Sequence, residues 1–363
     1  MRAHLKNNVL QESRKRIRTI YKEGWDVIVG FSGGKDSTVI LELTIEIARE
    51  LNRLPVKAYF LDQESEYNYT IEYMRRIRKR KEVELFWYQI PFKLFNALSI
   101  ENEYLMVWEE GREDIWMRQK EKKSIHNTKM KEDRFFPILE KLSYEIMGKD
   151  HLVFTGLRAE ESMQRLMNMC KNPINGRSWF SRNKYYKNTF RCYPIYDWKS
   201  ADVWKYIGRN KIDYNKIYDK FYCMGISAKN ARVSSIIHEM GVLQLQILQE
   251  IEPETYNKLM IRVPGVGSYG KCYADLYKVN HISMGFKFFK NPKEYICYII
   301  EMLCKEEHKE VFYNAVDKLE ELCTRFNLDM KSKYMSIIST ILLNDFSGSK
   351  LANVIESCYV KKK

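Results

Sequence analysis

Six consecutive residues, Ser32-Gly33-Gly34-Lys35-Asp36-Ser37, carry the strongest chemical signal in this 363-residue chain. Two glycines let a backbone turn sharply and approach a ligand closely. Lys35 supplies positive charge to the turn. The string follows a short apolar run, DVIVGF at 26–31, and leads into an apolar-periodic stretch at 36–52. A strand, a glycine turn and a helix in that order put unpaired amides and the positive end of the helix dipole at the turn, which favours phosphate. The plainer alternative is a turn whose helix is capped by Asp36 or Ser37. A Walker loop is excluded by Val29 and Asp36, which stand where that pattern needs glycine and a hydroxyl residue, so a motor-type ATPase acting on the γ-phosphate is disfavoured.

The elements that must hold this loop are legible around it. Val9, Leu10, Ile17, Ile20 and Tyr21 have the spacing of a basic amphipathic helix over 9–23, stopped by Gly24. VKAYFL (56–61), ELFWYQI (84–90) and HLVFTG (151–156) repeat the pattern of strands buried on both faces, and 67–81 reads as a helix between the first two. Strand, helix, strand, helix, strand predicts right-handed crossovers. The expected fold is therefore α/β, a doubly wound and mostly parallel sheet. The charge-dense interruption at about 92–150 reads either as a solvated helical excursion or as a lid. Apolar spacing beyond 276 predicts a smaller C-terminal helical domain (276–363) after a nucleotide-binding domain of residues 1–275.

Lys and Arg outnumber Asp and Glu by 61 to 47, a net charge of +14 that suits a polyanionic partner or merely a solvated lysine-rich surface. Between 177 and 191, Arg177, Arg182, Lys184, Lys187 and Arg191 alternate with Trp179, Phe180, Tyr185, Tyr186 and Phe190. That flap could track phosphates and stack bases of a nucleic acid, or be a hairpin with aromatics packed inward. A second basic run holds Arg112, Arg118, Lys120, Lys122, Lys123, Lys129 and Lys131. Eight cysteines show no CxxC pair, so neither a zinc knuckle nor a clustered iron–sulfur motif is legible. No signal-type apolar region opens the chain and no run of 18 apolar residues occurs, from which a cytoplasmic protein with no membrane segment is expected.

The SGGKDS string, its strand–helix context and three later segments resemble the PP-loop ATP pyrophosphatases, within the superfamily of phosphoadenosine phosphosulfate (PAPS) reductases, also called adenine nucleotide alpha hydrolase-like. Leu61-Asp62-Gln63-Glu64 is similar to the family's Asp-Thr-Gly box, with Gln63 and Glu64 departing from it. Thr155-Gly156-Leu157-Arg158-Ala159-Glu160-Glu161-Ser162 is similar to its G-[IL]-R-x-x-[ED]-S motif. Pro194-Ile195-Tyr196-Asp197-Trp198, with Asp202-Val203-Trp204 beyond it, resembles a segment whose tryptophans pack. The tail, Ile337–Phe346, is similar to that of a subgroup of prophage-encoded proteins described as gene-expression co-activators.

The resemblance implies an adenine nucleotide, ATP with Mg²⁺, held by Ser32, Gly33, Gly34, Lys35, Asp36, Ser37, Asp62 and Gly156. Lys35, Asp36 and Arg158 would be catalytic and Asp36 the metal ligand; Arg158, Glu161 and Arg232 would meet the substrate. Asp62 could equally end a strand, Glu160 and Glu161 cap a helix, and Arg232 be a surface charge. The chain lacks the Glu-Cys-Gly-Leu-His segment of true reductases. Cys223, the only cysteine near a family motif, is read as a buried structural thiol. Two functions stay open: an ATP pyrophosphatase that adenylates an unknown acceptor, and a nucleotide-gated regulator with a nucleic-acid or protein partner.

Overall fold

Unbroken apolar runs become inner strands here because both faces of the sheet they join are covered by helices. The computed structural model describes residues 7–96, 102–161, 167, 173–174, 176–228, 231–233, 236–237, 245–266, 286, 288–289, 291–342 and 349–360. In order come α1 (Val9–Lys22), β1 (Val27–Gly30), α2 (Lys35–Glu50), β2 (Val56–Leu61), α3 (Asn68–Arg78) and β3 (Val83–Tyr88). A two-stranded ribbon follows, β4 (Phe92–Phe95) with β5 (Tyr104–Val107), then α4 (Phe135–Met147), β6 (Leu152–Thr155), β7 (Phe180–Arg182) and β8 (Phe190–Cys192).

Six strands form the main sheet in the order β3-β2-β1-β6-β8-β7. Every neighbouring pair is parallel except β7 with β8, the hairpin of the aromatic-basic flap. From β1 the winding runs outward to β2 and β3; from β6 it runs the other way to β8. The chain thus changes direction between β1 and β6, and a crevice opens beyond the carboxyl ends of these two strands, where ligands bind in open α/β sheets. Gly30 and Thr155 are register partners at that edge.

The described residues fall into two compact units: 1–94, 106–235 and 251–255 in one, and 95–105, 236–250 and 256–363 in the other. The first holds the main sheet, with α2 contributing the fully buried Val39, Ile40, Leu41, Leu43 and Ile47. It also holds α5 (Ser200–Arg209) and α6 (Ile217–Cys223); Trp198, just before α5, is 1% exposed and donates its indole N–H to Ser13, the packing role expected of it. Further on lie α7 (Leu245–Ile251) and α8 (Pro253–Arg262). In the second unit, α9 (Pro292–Leu303), α10 (Glu306–Phe326), α11 (Met330–Leu342) and α12 (Ser349–Val360) close on Ile296, Ile300, Phe312, Leu319, Ile337 and Ile341. Of the tail quoted above, 343–346 lie outside the described residues. No described helix is long and apolar enough to cross a membrane.

Candidate nucleotide site

Gly33 makes the turn between β1 and α2 at φ 72°, where a side chain is strained, and a Cβ there would sit 2.8 Å from Met74 Cε and 3.2 Å from Thr70 Cγ2. Gly34 caps α2 without a side-chain hydrogen bond. The Ser37 hydroxyl donates to the Gly34 carbonyl (2.9 Å) and lies 3.1 Å from the Ser32 hydroxyl, which closes the loop from inside. Among the described residues the backbone N–H groups of Asp36 and Ser37 have no partner, whereas that of Lys35 donates to the Tyr218 hydroxyl at 3.0 Å. The Lys35 ammonium donates to the Ala231 carbonyl (3.1 Å) and lies 3.6 Å from Asp36. Burial, with only 3% of the side chain exposed, pulls its pKa below the usual lysine value; Asp36 opposes the fall, while Arg158 and Arg232 add to it. Arg232 therefore belongs to the electrostatic surroundings of the loop.

Arg158 comes from the loop after β6, as its place in the sequence predicts. Its guanidinium is 4% exposed and lies among three carboxylates: Nε donates to Asp36 at 2.7 Å, Nη1 to Glu160 at 2.9 Å, and Nη2 is 3.6 Å from Glu161. Lys35, Asp36, Arg158, Glu161 and Arg232 are thus brought together; Ser162 lies outside the described residues. Gly156 is where β6 passes the first turn of α2. A Cβ there would fall 2.6–2.8 Å from Asp36 C, Asp36 O and Ser37 N, which is rigid backbone. Gly156→Ala should push that turn away, costing about 1–3 kcal/mol of stability and weakening any nucleotide binding at the loop. Thermal melts and calorimetry check this, and an alanine variant matching wild type in both would show that the two backbones do not touch.

Asp62 belongs to a second cluster, at the carboxyl end of β2. It is fully buried and accepts hydrogen bonds from Trp87 Nε1 (2.9 Å), Gln89 Nε2 (3.0 Å) and the Glu64 backbone N–H (3.0 Å). Arg118 completes its shell, reaching both carboxylate oxygens and the Glu64 carbonyl while stacking 5.1 Å over the Trp108 ring. Glu64, at φ 63°, accepts from the amides of Trp108 (2.6 Å) and Met117 (3.2 Å), and Trp108 is itself at φ 51°. Two non-glycine residues in the left-handed region cost about 1–2 kcal/mol each, and these hydrogen bonds hold them there. Glu66 is 5% exposed; burial and the charge of Asp62 push its pKa up to about 8, against the pull of Arg118.

Sequence reasoning placed Arg118 in a basic surface run. It is instead the counter-ion of Asp62, and the only advance signal was Trp108 and Trp116 in an otherwise charged stretch. Ile125 bridges to β3 at Tyr88, and Glu121 binds Arg75 and Arg78 of α3, so this end of the stretch is tied down while residues 110–114 stay exposed. In the flap most aromatics also pack. Trp179 meets Phe180 at 4.6 Å, Phe190 meets Trp25 at 6.1 Å, and Tyr186 stacks on Tyr144 at 3.9 Å. Arg177 pairs with Glu23 and Arg191 with Glu140, leaving Tyr185, Arg182, Lys184 and Lys187 exposed. The reading of Cys223 as a buried thiol is corrected: it is exposed at the end of α6, beside Tyr222 at 82% exposure. Short amphipathic helices place their last residues by a single turn, and sequence spacing does not resolve which face those residues take.

A doubly wound sheet with a glycine-turn anion cradle at its switch point defines a nucleotide-binding α/β protein. Residues 26–225 match the phosphoadenosine phosphosulfate reductase domain, and the chain belongs to that family. Among curated relatives, the uncharacterized protein YbdN of Escherichia coli (strain K12) is 28% identical over 281 residues, covering 72% of this chain and 67% of its own. An adenosine 5'-phosphosulfate reductase of Lysinibacillus sphaericus is 26% identical over 207 residues, covering 57% and 74%. Two relatives from Methanocaldococcus jannaschii are matched over only 34% and 51% of their own lengths. The crystal structure of a PAPS reductase from Candida auris, a phosphate complex, aligns with 64% of this chain and 97% of that one, at 12% identity and a TM-score of 0.36.

Proposed function

We propose that the protein binds ATP at the Ser32–Ser37 loop and transfers its adenylyl group to an acceptor, releasing pyrophosphate. The observation that carries this reading is the pair of unpartnered amides, Asp36 and Ser37, at the start of a 16-residue helix, flanked by the buried cations of Lys35 and Arg158. Such a cradle favours a polyphosphate. The nucleophile of the acceptor attacks the α-phosphorus, the bond from that phosphorus to the α–β bridging oxygen breaks, and pyrophosphate leaves with the electron pair. Lys35 and Arg158 offset the charge that builds on the leaving oxygens, and the loop amides fix the phosphate chain.

Asp36 fits a magnesium anchor: its Oδ1 is held by Arg158, and among the described residues its Oδ2 has only Lys35 at 3.6 Å. Mg²⁺ is ordinarily bound through one or two carboxylates plus phosphate oxygens, and it would neutralise the phosphates. Glu161 and Arg232 are proposed to face the acceptor. Incubation with ATP and MgCl₂, followed by ³¹P NMR, should give pyrophosphate with AMP or an adenylate. ADP and orthophosphate as main products would overturn the reading. Sulfite released from a sulfonucleotide in the presence of thioredoxin would replace it with a reductase.

A further inference from the structure

We propose that Tyr218 is an internal occupant of the phosphate cradle, a hydroxyl that a nucleotide must displace, so that this residue sets the affinity of the site. The proposal rests on the ATP-binding reading and adds the residue that opposes it.

Both donors of Lys35 point at oxygen atoms supplied by one later stretch of chain. The backbone N–H meets Tyr218 Oη at 3.0 Å, and the ammonium meets the Ala231 carbonyl at 3.1 Å. These are the partners a bound phosphate would supply. The hydroxyl also sits over the turn, 3.5 Å from where a Gly34 Cβ would be, and the Tyr218 ring lies 5.4 Å below the Lys35 ammonium. Tyr218 is 5% exposed, and burial pushes its pKa well above the usual tyrosine value, so the hydroxyl is neutral and acts as a weak substitute for an anion.

The placement is built in. Asn215, fully buried, donates to the Gly33 carbonyl (3.3 Å) and to Thr70 Oγ1 (2.9 Å), and its side-chain oxygen accepts the Ile217 amide that starts α6 (3.1 Å). Tyr73 bridges Thr38 of α2 to the Asp213 carbonyl at 3.0 and 3.1 Å. Residues 213–218 are thus pinned to the loop from two sides, and the Tyr218 ring packs edge-on against Trp204 at 5.1 Å. Removing the hydroxyl leaves that packing in place.

An occupant that must leave before any ligand can enter lowers every affinity by the same factor, the inverse of the fraction of open sites. A direct ligand contact acts oppositely, since its loss weakens binding. Tyr218→Phe should therefore tighten binding of ATP, pyrophosphate and inorganic phosphate by one common factor of about 3 to 10 in calorimetry, the amount one neutral hydrogen bond controls. Weaker or unchanged binding of all three would overturn the proposal. If pyrophosphate and phosphate tighten together while ATP binds to neither protein, the plug stands and the ATP reading falls. If neither protein binds any of the three, both fall. Matching melting curves for wild type and Tyr218→Phe confirm that the comparison is between folded proteins.

Discussion

Lys35→Ala should yield a folded protein whose ATP affinity is lower by about 10- to 100-fold, the effect of losing one charge-assisted phosphate contact. The side chain is almost wholly buried, which for most residues would make alanine destabilising. Here the balance differs. Burial already works against the charged form, as the lowered pKa records, so folding spends free energy on keeping this ammonium inside. The variant loses one hydrogen bond to the Ala231 carbonyl and a loose pair with Asp36, and it is relieved of that desolvation. A melting temperature that holds while ATP affinity collapses is the expected pair of results, read by calorimetry and thermal melts. Collapse of both would make Lys35 a structural residue, and ATP affinity that survives would take the loop out of nucleotide binding.

Glu66→Gln should stabilise the protein, and by more as pH rises. The folded-state pKa of Glu66 is raised from 4.5 to about 8, so across that window the folded chain keeps a proton that the unfolded chain has released. The unfolded state then binds fewer protons, and stability falls as pH climbs from about 4.5 to 8. Integrated at about 1.4 kcal/mol per pH unit, this one carboxyl accounts for roughly 3–6 kcal/mol by pH 8. Glutamine keeps the shape without the titration. Denaturant unfolding should therefore show the two proteins nearly equal at pH 4.5 to 5 and the variant ahead by several kcal/mol at pH 8. A difference that stays flat across the range would mean that water or a further cation reaches Glu66.

The sheet was readable because its strands are buried on both faces. VKAYFL is β2 to the residue, and β1 and β6 fall within one or two residues of the apolar runs that announced them. The loop was readable because glycine turns before helices have few uses, and Arg158 because its neighbours matched a motif. The rest was hidden by distance along the chain. The tryptophans near Arg118 do not distinguish it from Lys120 or Lys122; its role appears only when Asp62, 56 residues earlier, is placed beside it. Tyr218 and Asn215 likewise act on a loop more than 180 residues away. Composition could not resolve this charge-dense segment, where Arg118 and Glu121 are paired with Asp62 and with arginines of α3 while 110–114 stay exposed.

The two groups that complete the end of β2 and the start of α3 also impose an order on synthesis. Asp62 waits for Arg118, and the first amides of α3 wait longer: the Asn68 and Tyr69 N–H groups are capped by Glu252, 184 residues downstream of Asn68. At a translation rate of about 5–20 residues per second, that second wait lasts roughly 10–40 seconds. During it the nascent chain makes the remaining strands of its main sheet but not the carboxylate that caps the start of α3. A chain that stops short of Glu252 therefore carries every strand of the main sheet with the first turn of α3 left uncapped.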